Sequence, residues 1–305
     1  MAKNSIDIGC LEEKSSWLLH PRFFPSKVGG KPAWLDLKNL PSPSDLTCKI
    51  CNDPLLFLGQ IYAPYEESNE CFHRTIFIFI CRRGECCKIN SADNFVVFRC
   101  QLPRKNDYYA FEPYEENESE VSSFQINAAQ LNNFTVTDSG KSLLFKEWEI
   151  VIDEEDDEEV ADVDVNQEME KLNKMIQERR AGTMSDVSDS ELEQYAQKAP
   201  EDKVYKKFSK RIARHPEQVL RYDRGGSPLW ITGNAGNGVN IPNCQYCNGE
   251  RQFEFQVMPQ LLNFIDVGVD FQSIDWGVLA IYTCKKSCNE GPSYKHEFMI
   301  KQDLN

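Results

Sequence analysis

Cysteines at a repeated spacing are the residues of this 305-residue chain that could do chemistry. Zinc binds four thiolates in a tetrahedron, and a Cys-x-x-Cys turn supplies two of them from one tight loop. In each half of the chain such a turn is followed by a second, distant cysteine pair. The sequence therefore predicts two zinc sites, with ligands Cys48, Cys51, Cys81 and either Cys86 or Cys87 in the first half, and Cys244, Cys247, Cys284 and Cys288 in the second.

Four thiolates leave no open coordination position, which indicates structural Zn²⁺ and not a catalytic ion. The two pairs of each site are further apart than in a compact zinc ribbon, so the strands between them must fold back. A thioredoxin-like redox role is the alternative, but neither Cys-x-x-Cys pair opens a helix after a strand. Cys10, Cys71 and Cys100 are left over, and Cys100 is predicted to be a core or surface thiol because Lys301 takes its place in the second half.

The cysteines belong to a longer pattern that occurs twice, since Gly-Gly-x-Pro-x-Trp precedes each Cys-x-x-Cys. Its residues are Gly29, Gly30, Pro32 and Trp34 in the first copy, and Gly225, Gly226, Pro228 and Trp230 in the second. The step from tryptophan to first cysteine is the same in both copies. A shared spacing of this kind indicates a duplication. Both tryptophans are predicted to be packing anchors, with exposed ligand stacking as the alternative.

Short apolar stretches rich in β-branched and aromatic residues predict the strands. They lie at 55–62, 75–81 and 95–101, at 143–152, and at 253–258, 277–284 and 296–302. A short helix is predicted at 259–264. The fold class that follows is mainly β (α+β): two duplicated, zinc-stabilised β domains joined by an acidic, partly helical linker.

Composition sets the predicted domain limits. Residues 1–111 form an N-terminal zinc-binding β domain, and residues 201–305 form a C-terminal one. Between them, residues 112–200 are rich in Glu, Asp, Asn and Ser, which is typical of a partly disordered linker. Helices are predicted in this linker near 169–176 and from Ser188 onward. Its acidic run is the predicted partner-binding segment: Asp153, Glu154, Glu155, Asp156, Asp157, Glu158 and Glu159.

The charge balance favours a basic protein as partner. Lys and Arg number 34 against 48 Asp and Glu, which leaves a net charge of −14, so direct nucleic-acid binding by the whole surface is not expected. A basic amphipathic helix is predicted at 205–214, with Phe208 and Ile212 on its apolar side. RNA or an acidic partner could contact its basic side, but a solvated face that balances the acidic linker is the favoured interpretation.

No catalytic constellation is visible, and we expect no enzyme. The four histidines are scattered, and neither His-Glu-x-x-His nor Gly-x-Ser-x-Gly occurs. No apolar run has the length of a membrane span, and the first residues lack the pattern of a signal peptide. We therefore expect a monomer of the cytoplasm and nucleus, where cysteines stay reduced.

Several segments resemble the programmed cell death protein two family of eukaryotes. They are FPSKVGGKPAWL at 24–35, QLPRKND at 101–107, FEFQVMPQLLN at 253–263 and SIDWG at 273–277. The resemblance covers both halves and part of the linker. Members of the family typically carry a MYND-type zinc finger after the Gln-Leu-Pro-Arg-Lys-Asn segment. The corresponding residues 112–141 contain no cysteine, so functions of that finger are not carried over, whether it is absent naturally or was removed.

The resemblance implies a dedicated chaperone for a small-subunit ribosomal protein, S-two in eukaryotic naming and S-five in universal naming. Such a chaperone captures its client during translation, keeps it soluble and supports biogenesis of the 40S subunit. An acidic protein that masks the charge of a basic client fits this role. The alternative is a zinc-bearing protein-interaction adaptor in transcription or in cell-death and proliferation control, which would need no ribosomal client.

Overall fold

The computed structural model describes residues 6–113, 144–155, 203–233, 239–265 and 273–303. In these residues, eleven strands form one antiparallel sheet and a single α-helix, α1 (Lys203–Ile212), accompanies it. The strands are β1 (Asp7–Glu12), β2 (Lys27–Val28), β3 (Leu56–Tyr62), β4 (His73–Ile80), β5 (Phe95–Leu102), β6 (Trp148–Glu154), β7 (Leu220–Tyr222), β8 (Arg251–Val257), β9 (Val278–Cys284), β10 (Lys295–His296) and β11 (Phe298–Gln302). Short 3₁₀ helices cover Pro21–Phe23, Asn69–Cys71, Gly84–Cys86 and Pro259–Asn263.

The sheet runs through both halves of the chain and nearly closes on itself. Its strand order is β10-β5-β4-β3-β2-β6-β1-β7-β8-β9-β11. The two end strands are consecutive in sequence and are separated only by Glu297. One bent terminal segment therefore pairs with β5 of the first half and with β9 of the second, which joins the two edges of the sheet.

The concave side of the sheet holds a core that both halves share. On β4, Ile76, Ile78 and Ile80 face this core, together with Leu279 and Ile281 of β9. Because side chains alternate along a strand, the intervening residues of β4 and β9 point to the other side. All eight residues of β4 and all seven of β9 are nevertheless buried, so a second layer must cover the outer side in each half.

Two satellite cores form that second layer. Phe77 and Phe79 of β4 pack with Trp34 in the first half, and the ring of Trp34 lies 5.7 Å from that of Phe79. In the second half, Phe208 of α1 packs on Val278, Ala280 and Tyr282 of β9, with Trp230 partly buried beside them. Trp34 is 2% exposed, so its predicted role as a packing anchor is confirmed.

The duplication is visible in side-chain contacts as well as in sequence. Gln60 of β3 accepts a hydrogen bond from the amide of Ala33, and Gln256 of β8 accepts one from the amide of Leu229. Each glutamine also donates to the carbonyl of the same partner. A shift in strand register precedes each glutamine. Each glutamine therefore ties the loop before its tryptophan to the sheet.

The first glycine of each Gly-Gly pair has the left-handed conformation that favours glycine, with φ of 67° at Gly29 and 83° at Gly225. A Cβ on Gly29 would lie 2.0 Å from the carbonyl oxygen of Lys146. That carbonyl belongs to the segment that leads into β6, so the glycine permits this segment to pack against the first half.

The predicted strands are confirmed to within a few residues, and the chain is mainly β as expected. Three strands were not predicted: β1, the two-residue β2 and the three-residue β7. The last predicted strand is divided into β10 and β11 at Glu297. The predicted helix at 205–214 is α1, and the helix after Met258 is a 3₁₀ turn. The linker helices near 169–176 and from Ser188, and most of the segment expected to replace a MYND finger, lie outside the described residues.

The two copies are packed together, because they share a sheet and a core. The division into domains at 1–111, 112–200 and 201–305 stays a prediction. Within the part of the chain that the structure describes, α1 is too short and too polar for a bilayer, and no other helix is a candidate for a membrane span.

Candidate functional site

Two knuckles of the same geometry carry the Cys-x-x-Cys pairs. In the first, the amide of Cys48 donates to the carbonyl of Asp53 and its own carbonyl accepts from Asn52. In the second, Cys244 makes the corresponding bonds to Gly249 and Asn248. Both asparagines adopt positive φ, 61° and 53°, a conformation that asparagine tolerates better than most residues. The turn therefore presents both sulfurs of each pair on one side.

The distant cysteines are delivered by the second strand of each half. Cys81 directly follows β4 and Cys284 ends β9, and both side chains are buried. Cys86 comes from the 3₁₀ turn after β4, and Cys288 follows a turn in which the amide of Ser287 donates to the carbonyl of Cys284. The antiparallel hairpins β3–β4 and β8–β9 bring these cysteines back to the knuckles, as the spacing requires.

The structure brings each set of four sulfurs together. The quartets are Cys48, Cys51, Cys81 and Cys86, and Cys244, Cys247, Cys284 and Cys288, and within each all four Sγ atoms lie within 4.8 Å of one another. The Sγ atoms of Cys51 and Cys81 are 3.6 Å apart, and those of Cys247 and Cys284 are 3.7 Å apart. A disulfide requires about 2.05 Å, whereas four sulfurs about 2.3 Å from a central metal ion are about 3.8 Å apart. Both quartets could hold a metal ion.

The surroundings of the sulfurs differ within each quartet. Burial raises the pKa of Cys86 to about 11 and also raises the pKa of Cys284. Burial acts in the same direction on Cys48 and Cys244, but main-chain amides of the knuckle donate to their sulfurs and bring the pKa of each below its ordinary value. The knuckle thus favours the thiolate form, which is the form that binds metal ions.

The structure decides between Cys86 and Cys87, which the sequence left open. Cys86 belongs to the first quartet and is 3% exposed. The sulfur of Cys87 lies outside it, 3.1 Å from the carbonyl oxygen of Asp275 and 3.4 Å from Nζ of Lys301. The inclusion of Cys87 among the possible ligands is therefore corrected, because its side chain points across to the second half.

Because only Cys86 lies in the quartet, serine at the two adjacent cysteines should have different effects on the metal content. Cys86→Ser is expected to lower the metal content by about one ion per chain, because a zinc site of this class needs all four thiolates. Cys87→Ser is the matched control and should leave the metal content unchanged. Elemental analysis of both purified variants measures it. Equal metal loss in the two variants would contradict the assignment.

The second quartet is linked to the first half through its last ligand. The guanidinium of Arg99 in β5 lies 3.3 Å from the carbonyl oxygen of Cys288 and 3.8 Å from its sulfur. Gln101 donates to the carbonyl of Ser287 at 2.9 Å. The carboxylate of Glu297 accepts a hydrogen bond from Nε of Arg99 at 2.7 Å. It accepts another from the main-chain amide of Cys284 at 3.1 Å. Loss of this quartet would therefore disturb contacts between the halves.

A buried ion pair forms a second link. Arg74 of β4 and Glu254 of β8 are both fully buried and form a bidentate pair, with Nη2 2.6 Å from Oε2. Tyr222 and Thr283 donate to the same carboxylate. Burial opposes ionisation of Glu254, but the charge of Arg74 outweighs it and lowers its pKa to about 2. The carboxylate is therefore ionised throughout the physiological range.

Comparison with known proteins shows which family the chain belongs to. Residues 5–116 match the model of the programmed cell death protein 2 N-terminal domain, and residues 202–303 match that of its C-terminal domain. Programmed cell death protein 2 of Bos taurus is 38% identical over 98% of this chain and 96% of its own length. The chain belongs to the programmed cell death protein 2 family.

More distant relatives extend this comparison. Programmed cell death protein 2-like of Homo sapiens is 28% identical over 86% of this chain and 85% of its own length. A Schizosaccharomyces pombe protein named Probable 20S rRNA accumulation protein 4 is 29% identical over 35% of this chain and 29% of its own length. No solved structure matches the chain.

In this member of the programmed cell death protein 2 family, the predicted partner-binding acids that the structure describes differ in exposure. Asp153 and Glu154 are exposed at the end of β6. Glu155 is 6% exposed, and its carboxylate accepts hydrogen bonds from the guanidinium groups of Arg221 and Arg211, each at 2.9 Å. Glu155 is thus corrected from a partner contact to an internal anchor, because two arginines already neutralise it. The remaining predicted acids, Asp156, Asp157, Glu158 and Glu159, lie outside the described residues.

Sequence reasoning missed the residues that join the halves. Arg74, Arg99 and Glu254 lie in β4, β5 and β8, and Glu297 lies between β10 and β11. All four are charged residues in or beside the stretches predicted as strands. A charge inside an otherwise buried strand is a signal in itself, because such charges are almost always paired. The glutamines Gln60 and Gln256 also carry a signal, since they follow their tryptophans at the same distance in both copies.

Proposed function

We propose that the chain is a chaperone for a basic protein of the small ribosomal subunit, the S-two protein of eukaryotes, and that it supports 40S biogenesis in cytoplasm and nucleus. The family membership supports a shared role with its relatives, and the name of the Schizosaccharomyces pombe relative connects the family to 20S rRNA. The client would be bound as a protein, without catalysis, by a monomeric chain.

The observation that carries the proposal is a group of carboxylates around β1, the acidic patch: Asp7 and Glu12 of β1, Asp153 and Glu154 of β6, and Glu217 before β7. All of them are exposed except Asp7, which is half-buried. Asp7 and Glu154 lie directly opposite each other in the strand pair. Burial raises the pKa of Asp7, and the charge of Glu154 raises it further. Like charges placed opposite each other destabilise a sheet. A basic client would relieve this repulsion as it binds.

The metal in the proposal is Zn²⁺, bound by both quartets. Four sulfur donors favour zinc or an iron–sulfur cluster, and the Cys-x-x-Cys knuckles have the spacing of structural zinc sites. The ion would fix the loops that carry Cys86 and Cys288, which contact the opposite half or lie beside residues that do. Its proposed role is therefore to hold the two halves of the chain together and not to bind the client.

Neutralising the acidic patch tests its role in client binding. The double variant Asp153→Asn with Glu154→Gln is expected to weaken the complex with the co-expressed S-two protein roughly three- to tenfold at low salt, because charge complementarity with a basic partner is lost. Binding is measured by quantitative pull-down at two salt concentrations. The control is Glu66→Gln with Glu67→Gln, which removes two exposed acids from another loop.

The outcomes separate the parts of the proposal. Equal affinities for both double variants would exclude the acidic patch as the binding surface. Absence of the S-two protein from complexes isolated from growing cells would overturn the chaperone role itself. In that case a normal level of 40S subunits after depletion of the chain would favour the adaptor function.

A further inference from the structure

The closure of the sheet leaves a groove at one side. After Glu297 the terminal segment turns away from β5 to pair with β9, so β5 and β11 diverge. The opening between them has a volume of about 780 Å³. Phe95 and Val97 of β5 lie on one wall, and Met299 and Ile300 of β11 lie on the other. We call this opening the seam groove.

One edge of β11 faces the seam groove and has no paired strand among the described residues. The amide of Glu297 donates to the carbonyl of Val97, and the amide of Asp303 donates to the side chain of Asn90. Both bonds point toward the β5 side. Because main-chain direction alternates along a strand, Met299 and Lys301 also present their N–H and C=O groups to that side. Among the described residues, β11 is an end strand that pairs only with β9, so no strand pairs with it on that side.

The rim of the seam groove has an acidic and apolar character. Asp45 is half-buried and Asp93 is exposed there, and Val239 is 46% exposed. Of the cations that line the groove, Arg251 is paired with Glu297 and Lys301 with Asp303. Lys49 remains exposed at the rim.

His296 also lines the groove, 3.8 Å from Asp45. Burial lowers the pKa of His296 below its ordinary value, although Asp45 acts against this. At pH 7 the imidazole is therefore neutral. The uncompensated rim charges are two carboxylates and one lysine, on a chain whose net charge is −14.

We propose that the seam groove binds an extended segment of the basic client by β-strand addition between β5 and β11. An unpaired strand edge is a template for another chain, which forms main-chain hydrogen bonds regardless of sequence while alternate side chains enter the apolar groove. Basic residues on the opposite side of the segment would reach Asp45 and Asp93. This inference rests on the proposed function, and it assigns the client a site separate from the acidic patch.

Site-specific photo-crosslinking tests the position. The photoreactive residue p-benzoylphenylalanine replaces Val239 in the seam groove or, as the control, Phe111, which is 55% exposed beyond the opposite end of β5. Each full-length chain is co-expressed with the S-two protein and irradiated. We expect at least about tenfold more crosslinked client from position 239, because the added strand would lie against it.

Hydrogen exchange supplies a measurement that needs no substitution. The amides of Met299 and Lys301 are expected to exchange at least about tenfold more slowly in the complex than in the free chain, since the added strand would accept hydrogen bonds from them. Co-purified client without protection of these amides, or with crosslinks only from position 111, would overturn the inference and leave the chaperone role standing. Failure to recover any client would instead refute the proposed function.

Discussion

With Zn²⁺ in both quartets, as proposed, the variant Cys284→Ser is expected to lose one of the two metal ions and to lower the free energy of unfolding by at least several kcal/mol. Binding of Zn²⁺ to a structural site contributes on the order of 10 kcal/mol to folding. This is comparable to the whole stability of an ordinary domain. Cys284 ends β9 and is fully buried. Its loss would therefore disturb the end of β9, a strand whose Leu279 and Ile281 lie in the core that both halves share.

The effect should spread beyond the second quartet. Glu297 accepts from the amide of Cys284, and the same carboxylate holds Arg99 and Arg251. When the turn after β9 loosens, these three contacts loosen with it. We expect thermal unfolding at a lower Tm for the whole chain and not a separate transition for one half.

Cys100→Ser is the matched control for this prediction. Cys100 is as fully buried as Cys284, but it lies in β5 outside both quartets. Serine there should cost roughly 1–3 kcal/mol for a buried hydroxyl and leave both metal ions bound. Elemental analysis and urea unfolding measure the two quantities. If both variants had the same metal content and lost the same stability, the second quartet would not be a metal site.

The sequence identifies the repeated part of this fold well. Strands β3, β4, β5 and β9 are buried on both sides, so most of their residues are apolar and many are β-branched or aromatic, and that pattern is local. Strand β8 shows the other local signal, an alternation of polar and apolar residues. The quartets are predictable for a similar reason, because cysteine spacing survives in a linear pattern. Only the choice between Cys86 and Cys87 needed the direction in which each side chain points.

The closure of the sheet could not be predicted in the same way. It depends on the bend at Glu297 and on β1 and β6, which are distant in sequence and pair only in the folded chain. The acidic run was misleading because composition does not distinguish its members. Glu155 has the same side chain as its neighbours, yet its place beside Arg221 and Arg211 makes it part of the interior.

Breaking the buried pair of Arg74 and Glu254 is expected to cause a large loss of stability. Glu254→Gln keeps the shape of the side chain but leaves the guanidinium of Arg74 buried without a countercharge. Breaking a buried pair in this way typically costs about 3–5 kcal/mol, so we expect a loss of that size in urea unfolding. Glu250→Gln, which removes only an exposed partner of Lys285, should change stability little.

A double variant shows whether the loss comes from the unpaired charge. Arg74→Met combined with Glu254→Met removes both charges, and apolar replacement of a whole buried pair is often neutral. We therefore expect it to be more stable than Glu254→Gln, even though the donors Tyr222 and Thr283 lose their acceptor. A double variant less stable than the single one would show that these hydrogen bonds outweigh the charge pairing.

The same pair contributes to the pH dependence of stability. The pKa of Glu254 is about 2 in the folded chain, below the ordinary value of 4.5, so the unfolded chain binds a proton first as the pH falls. The stability that the ionised carboxylate contributes is complete above about pH 4.5 and is lost between there and about pH 2. Glu254→Gln should flatten this part of the curve. Since Arg74 and Glu254 lie on strands of opposite halves, acid would weaken the joint between the two copies, whereas metal removal would loosen the knuckles that flank it.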